Sequence, residues 1–112
     1  MIKHAPGHGR AAVDSHLELP RVDAPLEDLE ARDFETFRAL SDMPMAMTAH
    51  VVYAAIDPKR PGTTSRRVIG DVIRERLRFD GLLLTDDLSM KALSGGFAKR
   101  AAQATRAGCD IV

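Results

Sequence analysis

The 112 residues include one cysteine, no tryptophan and one tyrosine. A lone cysteine closes no disulfide within the chain, which fits a reducing compartment and makes the cytoplasm the default location. Cys109 opens an apolar run with no histidine near it in sequence, so it reads as a small core residue and not as a nucleophile. An excess of charge of either sign is also missing. Sixteen basic and sixteen acidic side chains give a formal net charge of zero, which removes the electrostatic footprint of a nucleic-acid binder. No apolar run approaches the roughly 18 residues that a membrane span needs. The start, MIKHAPGHG, turns polar within three residues, so neither a signal peptide nor a membrane partner is read. With 45% hydrophobic and 29% charged residues, one soluble globular domain remains.

The charge that is present is uneven. Glu27, Asp28, Glu30, Asp33 and Glu35 crowd one segment, while Lys59 and six arginines crowd residues 59–78. Both read as solvated helix faces. Leu26, Leu29, Phe34, Phe37 and Leu40 recur at spacings near 3 and 5, which predicts a helix over 26–40 interrupted near Asp33. Val68, Ile69, Val72, Ile73 and Leu77 form the apolar stripe of a second helix, with Thr64 or Ser65 as its cap. An alanine-rich third helix, 98–107, ends at Gly108. Between them, MPMAMTAHVVY and FDGLLLTDD carry short apolar strands, and Met1–Ile2 and DIV read as the end of one strand and the start of another. Apolar runs alternating with helices predict a parallel sheet covered on both faces, either doubly wound or a (β/α)8 barrel. Polar residues follow each strand: Lys3–His4, Thr48–His50 and Thr85–Asp87. Chemistry gathered at strand ends suits a barrel. A barrel takes about 250 residues, so the expectation is a partial barrel, cut at both ends.

Three of the four histidines lie in KHAPGHGRAAVDSH, residues 3–16. Within it, Asp14 and His16 stand two residues apart, a spacing that lets a carboxylate in an extended loop orient an imidazole and raise its basicity. D-x-H is also common by chance. Asp86 and Asp87 end an apolar strand, where burying carboxylates has a cost unless they are used or paired. Strand parity puts Asp86 on the face of Leu82 and Leu84. The plain alternative is that either aspartate caps the following turn, and this reading is preferred for Asp87. PGHG lacks the G-K-[ST] ending of a phosphate loop. The histidines invite a zinc reading, but no H-E-x-x-H or C-x-x-C framework supports it, so neither metal nor cofactor is expected. His50 follows a strand at the same end and reads equally as a pocket residue or a structural one.

Taken together, KHAPGHGRAAVDSH, MAMTAHVVYAAID, FDGLLLTDDLSMKAL and AGCDIV resemble the β-N-acetylhexosaminidases of glycoside hydrolase family 3, the NagZ-type enzymes of bacterial peptidoglycan recycling. The resemblance implies a (β/α)8-type barrel and retaining exo-hydrolysis of terminal β-linked N-acetylglucosamine. It implies Asp86 as nucleophile, His16 as general acid/base assisted by Asp14, and Lys3 and His4 as holders of sugar hydroxyls. The substrate it implies is a small carbohydrate, a muropeptide or chitooligosaccharide carrying N-acetylglucosamine, and no metal is required. Two departures stand out. Ala5 occupies a position that is usually a large apolar or aromatic residue in the family, and the family's first barrel half, with its sugar-gripping aspartate and arginines, has no counterpart here. The 112 residues alone are therefore expected to be poorly stable and nearly inactive, and an inactive remnant is the alternative reading.

Overall fold

The structure, a computed structural model, describes residues 1–112. Parallel pairing organises it. Strands β1 (Ile2–Ala5), β3 (Met45–Thr48) and β5 (Leu82–Leu84) form one parallel sheet in that spatial order. Met45, Ala46 and Met47 lie opposite Leu82, Leu83 and Leu84, and a parallel bridge from Leu84 to Ile111 begins a further pairing. A second, two-stranded parallel sheet joins β2 (Arg21–Val22) to β4 (Val52–Tyr53). Residues 19–25, LPRVDAP, with two prolines, are extended and supply β2.

The first helical stretch runs through α1 (Leu26–Asp28), a π-helical segment (Leu29–Asp33) and α2 (Phe34–Ala39). The expected interruption near Asp33 is a change of pitch without a break. The amide of Phe34 donates to the carbonyl of Leu29, five residues back, and this wider turn brings two side chains at spacing five onto one face. Both are fully buried. A second stretch, Val68–Arg76, is also π-helical and buries Val68, Ile69, Val72 and Ile73. Its start is capped by Ser65, whose Oγ accepts from the amide of Val68 at 3.2 Å while its hydroxyl donates to Asp57 at 2.7 Å. Helix α3 (Phe97–Ala107) ends on Gly108 at φ 125°. A Cβ there would stand 2.9 Å from Ile69 Cγ2, so this helix end also fixes the spacing to its neighbour.

The core joins Ala46 and Leu83 of the sheet to Leu29, Phe34, Ile69 and Ile73 of the helices. This corrects one expectation. The sheet is covered on a single face: Met45, Met47 and Leu84 are only partly buried, and Leu82 is 48% exposed. An apolar run shows that both faces of a strand favour burial, but it does not name what covers each one. Strand order follows chain order without reversal, and right-handed crossovers repeated in one direction place every helix on the same side. The architecture is α/β with small parallel sheets.

Two glycines give opposite predictions. A Cβ on Gly81 would lie 2.5 Å from the Pro44 carbonyl oxygen and 2.8 Å from the Phe79 ring. Gly81→Ala is expected to destabilise by about 1–3 kcal/mol, as overpacking does. Gly70 lies inside Val68–Arg76 with open space around it, and Gly70→Ala is expected to stabilise by about 0.4–1 kcal/mol by restricting the unfolded chain. Urea midpoints of the two variants should move in opposite directions from the parent. A common direction would contradict the packing described.

Candidate active site

The parallel sheet brings the C-terminal ends of β1, β3 and β5 to one edge, where polar residues can meet without burying charge in the core. On β1, the ring of His4 faces the turn after β5, with Nε2 3.4 Å from Asp86 Oδ2. Burial holds His4 below the usual histidine range, against the opposing pull of Asp86. The ring of His8 lies 5.6 Å away, tilted against it.

The two aspartates of TDD are used differently. Asp87 Oδ1 accepts from the amide of Ser89 at 2.8 Å and from its hydroxyl at 2.6 Å, which is the turn-capping role expected of it. The same bonds hold its carboxyl below the ordinary range. Asp86 caps nothing beyond the turn. Its Oδ1 accepts from the adjacent amide of Asp87 at 2.8 Å and its Oδ2 turns to His4.

In the glycine-bearing loop, Asp14 Oδ1 accepts from both the amide of His16 at 2.9 Å and its ring Nδ1 at 2.8 Å. These bonds, the backbone one foremost, hold the Asp14 carboxyl below its usual value. With Nδ1 bound to a carboxylate, Nδ1 carries a proton and Nε2 is left for other work. Ser15, between the two, points the opposite way and is buried, with its Oγ 3.2 Å from His8 Nε2. The loop is further held by the Tyr53 hydroxyl, which donates to the Gly7 carbonyl at 2.5 Å, and by Arg10, which pairs with Asp33 at 2.8 Å.

One cleft of about 320 Å³ is lined by His4, His8, Asp14, Ser15, His16 and Asp86. The fold thus gathers four of the five residues singled out in the sequence. The fifth, Lys3, lines an adjoining hollow of about 500 Å³ together with His4, Arg10 and Asp33. A larger cavity, about 580 Å³, is walled by Asp57, Lys59, Arg60, Arg66 and Arg67 and contains none of these motif residues. No three His, Cys, Asp or Glu side chains stand close enough together to hold a metal ion. Burial and the neighbouring Asp110 push the Cys109 thiol up to about 12, so it is chemically quiet at neutral pH.

His50 is fully buried, which settles the choice left open for it: it does not line the cleft. Its ring bonds to Thr63 and to the Asp87 carbonyl. Sequence reasoning missed Thr63, which sits in a short 3₁₀ turn, Gly62–Thr64, and Arg100. The Arg100 guanidinium donates to the carbonyls of Leu88, Met90 and Leu93, pinning the segment that follows TDD against α3. An arginine in an alanine-rich helix gives no sequence signal of that role.

Residues 1–112 match the glycosyl hydrolase family 3 N-terminal domain. The chain belongs to this family. A curated relative from Alkalilimnicola ehrlichii, a beta-hexosaminidase, is 48% identical over 98% of this chain. Among solved structures, a glycoside hydrolase family 3 beta-N-acetylglucosaminidase from Paenibacillus superposes with TM-score 0.91 at 39% identity over 97% of the chain. NagZ from Neisseria gonorrhoeae, in complex with N-trifluoroacetyl-D-glucosamine, superposes with TM-score 0.86 at 41% identity over 98%. The chain covers 32% of the Alkalilimnicola protein, 22% of the Paenibacillus chain and 32% of the Neisseria chain. It therefore spans about a third of the curated relative's length.

A pH dependence follows for this family 3 chain. His4 and His50 are both held below the ordinary histidine value, chiefly by burial. Just below pH ~6.5 the unfolded chain binds more protons than the folded one, so stability rises with pH through that window. It is present in full above it and is lost as pH falls. The thermal midpoint should drop between pH 7 and pH 5, and the drop should be shallower in His50→Gln. A midpoint that rises on acidification over this range would contradict the burial of the two rings.

Proposed function

We propose that this chain carries the nucleophile and acid/base half of a retaining β-N-acetylhexosaminidase, and that it forms a segment of a (β/α)8 barrel. The observation that carries the reading is the 2.8 Å bond from His16 Nδ1 to Asp14, in the same cleft as Asp86. It leaves a free imidazole nitrogen facing the same space as Asp86 Oδ2, whose other oxygen is held by the Asp87 amide. Retaining hydrolysis ordinarily uses two carboxyl groups about 5–5.5 Å apart; here an Asp–His pair takes the place of one of them. Unreversed winding and the uncovered sheet face support the barrel, with Met45, Met47 and Leu84 turned toward its interior.

In the first step, Asp86 attacks the anomeric carbon as the glycosidic C–O bond breaks, and the His16 imidazolium gives its Nε2 proton to the departing oxygen. In the second, neutral His16 takes a proton from water, the water oxygen bonds to the anomeric carbon, and Asp86 departs with the electron pair of its ester bond. Asp14 stabilises the charged form and fixes the ring. Lys3 and His4, beside the cleft, hold sugar hydroxyls. The substrate proposed is a terminal, non-reducing β-linked N-acetylglucosamine on a muropeptide or chitooligosaccharide, handled in the cytoplasm.

The test uses the full natural polypeptide containing these residues and a chromogenic β-N-acetylglucosaminide. Asp86→Asn should lower kcat by about 10⁴- to 10⁶-fold, the range that loss of a nucleophile or its partner produces. His16→Ala should lower it by about 10²–10⁴-fold. Chelation should leave turnover unchanged. Turnover retained in Asp86→Asn would overturn the nucleophile assignment, loss on chelation would favour a metal-dependent hydrolase, and a folded but inactive parent would favour the remnant.

A further inference from the structure

We infer that His50 and Thr63 form a buried relay that positions the turn bearing Asp86, making His50 a positioning residue for the reaction proposed above. The inference rests on that reading. His50 Nδ1 lies 2.6 Å from Thr63 Oγ1, and His50 Nε2 lies 2.9 Å from the carbonyl oxygen of Asp87. Thr63 Oγ1 also lies 2.8 Å from Thr48 Oγ1. Thr48, His50 and Thr63 are each fully buried, so none of them touches a sugar.

The protons can be assigned by elimination. A carbonyl oxygen only accepts, so His50 Nε2 carries the ring proton and donates it to Asp87. Nδ1 of the neutral ring is then an acceptor, and the Thr63 hydroxyl supplies it. Thr63 in turn accepts from Thr48. The Thr63 hydroxyl also lies 3.2 Å from the Ala49 carbonyl, but its 2.6 Å approach to Nδ1 is much the shorter, so its single proton is given to the ring. The result is a one-way chain, Thr48 to Thr63 to His50 to Asp87, running from the end of β3 to the turn after β5. Burial keeps the ring neutral, with Arg100 acting in the same direction against the opposing charges of Asp86 and Asp87. A second proton on Nδ1 would remove the acceptor and force the Thr63 hydroxyl to turn away.

The Asp87 carbonyl is a telling place to anchor. The Asp87 amide bonds Asp86 Oδ1 at 2.8 Å, so fixing that residue's peptide planes fixes one oxygen of the nucleophile and leaves the other facing the cleft. Arg100 braces the chain from Leu88 onward. The turn is thus held from β3 on one side and from α3 on the other. A displaced nucleophile loses rate with little loss of ground-state binding, and misplacement by about 1 Å costs on the order of 10²-fold.

The test is made in the full natural polypeptide, with Asp86→Asn as reference. His50→Leu and the near-isosteric Thr63→Val should lower kcat by about 10- to 100-fold with KM within about twofold. Thr63→Ser should restore the parent kcat, and His50→Gln, which keeps a donor near Nε2, should recover part of it. In ¹⁵N-histidine NMR spectra, His50 should show a neutral ring with the proton on Nε2, and its Nδ1 signal should shift in Thr63→Val. A lower melting temperature with unchanged kcat in Thr63→Val would overturn the inference. So would an Nδ1-protonated ring, a reading available even if His50→Leu fails to fold. Turnover retained in Asp86→Asn would instead remove the nucleophile assignment on which the inference stands.

Discussion

Every candidate group in the cleft depends on the parallel register that β3 keeps with its two neighbours. Ala46 opposes both Ile2 and Leu83, so three strands of nearly equal length end at one level. Parallel strands cannot be joined by tight hairpins, so each connection must leave, cross as a helix and return. The returning strands then present fresh loops at the same edge. His4, His50 and Asp86 are far apart in sequence and adjacent in space for this reason alone. A one-residue slip of β5 would exchange Leu83, fully buried, for its more exposed neighbours, and the core would resist it.

The two halves of the proposed chemistry are held by contrasting means. The Asp86 turn is clamped by a buried hydrogen-bond chain and by a guanidinium that reaches three carbonyls. Low local dielectric strengthens such bonds and makes an unpaired partner costly, so this side of the cleft has one geometry. His16 and Asp14 instead lie out in solvent, their side chains 74% and 58% exposed. They are tied to the body through the buried Ser15 between them and by the amide of Lys91, which donates to the His16 carbonyl at 3.3 Å.

Much of this was legible in the residues. The pattern Val68, Ile69, Val72, Ile73 marked a buried stripe, and the i, i+2 spacing of Asp14 and His16 marked a pair that meets at 2.8 Å. The spacing of five between Leu29 and Phe34 looked like an interruption because α-helical periodicity cannot put both on one face; a π turn can. What stayed hidden depends on long-range geometry. Thr63 contacts Thr48 across fifteen positions, and Arg100 reaches Leu88 across twelve. No periodicity links such pairs, since the loop and helix carrying them are placed by packing. The uncovered sheet face was hidden for a related reason, because strand composition records the preference for burial and leaves the covering element unnamed.

In the proposed chemistry, the contrast between a braced Asp86 and a solvent-exposed His16 suits what each would have to do. A nucleophile attacks one carbon along one line, so any freedom it keeps is freedom to miss, and a buried relay is a suitable support. An acid/base group serves two steps in which the oxygen it addresses differs: first the leaving group, then an incoming water. Its bond to Asp14 fixes the tautomer, which both steps need. A carboxylic acid in that place would require burial to lift its value toward neutrality, and burial would fix it. Exposure of the Asp14–His16 pair is therefore consistent with catalysis and does not mark the loop as peripheral.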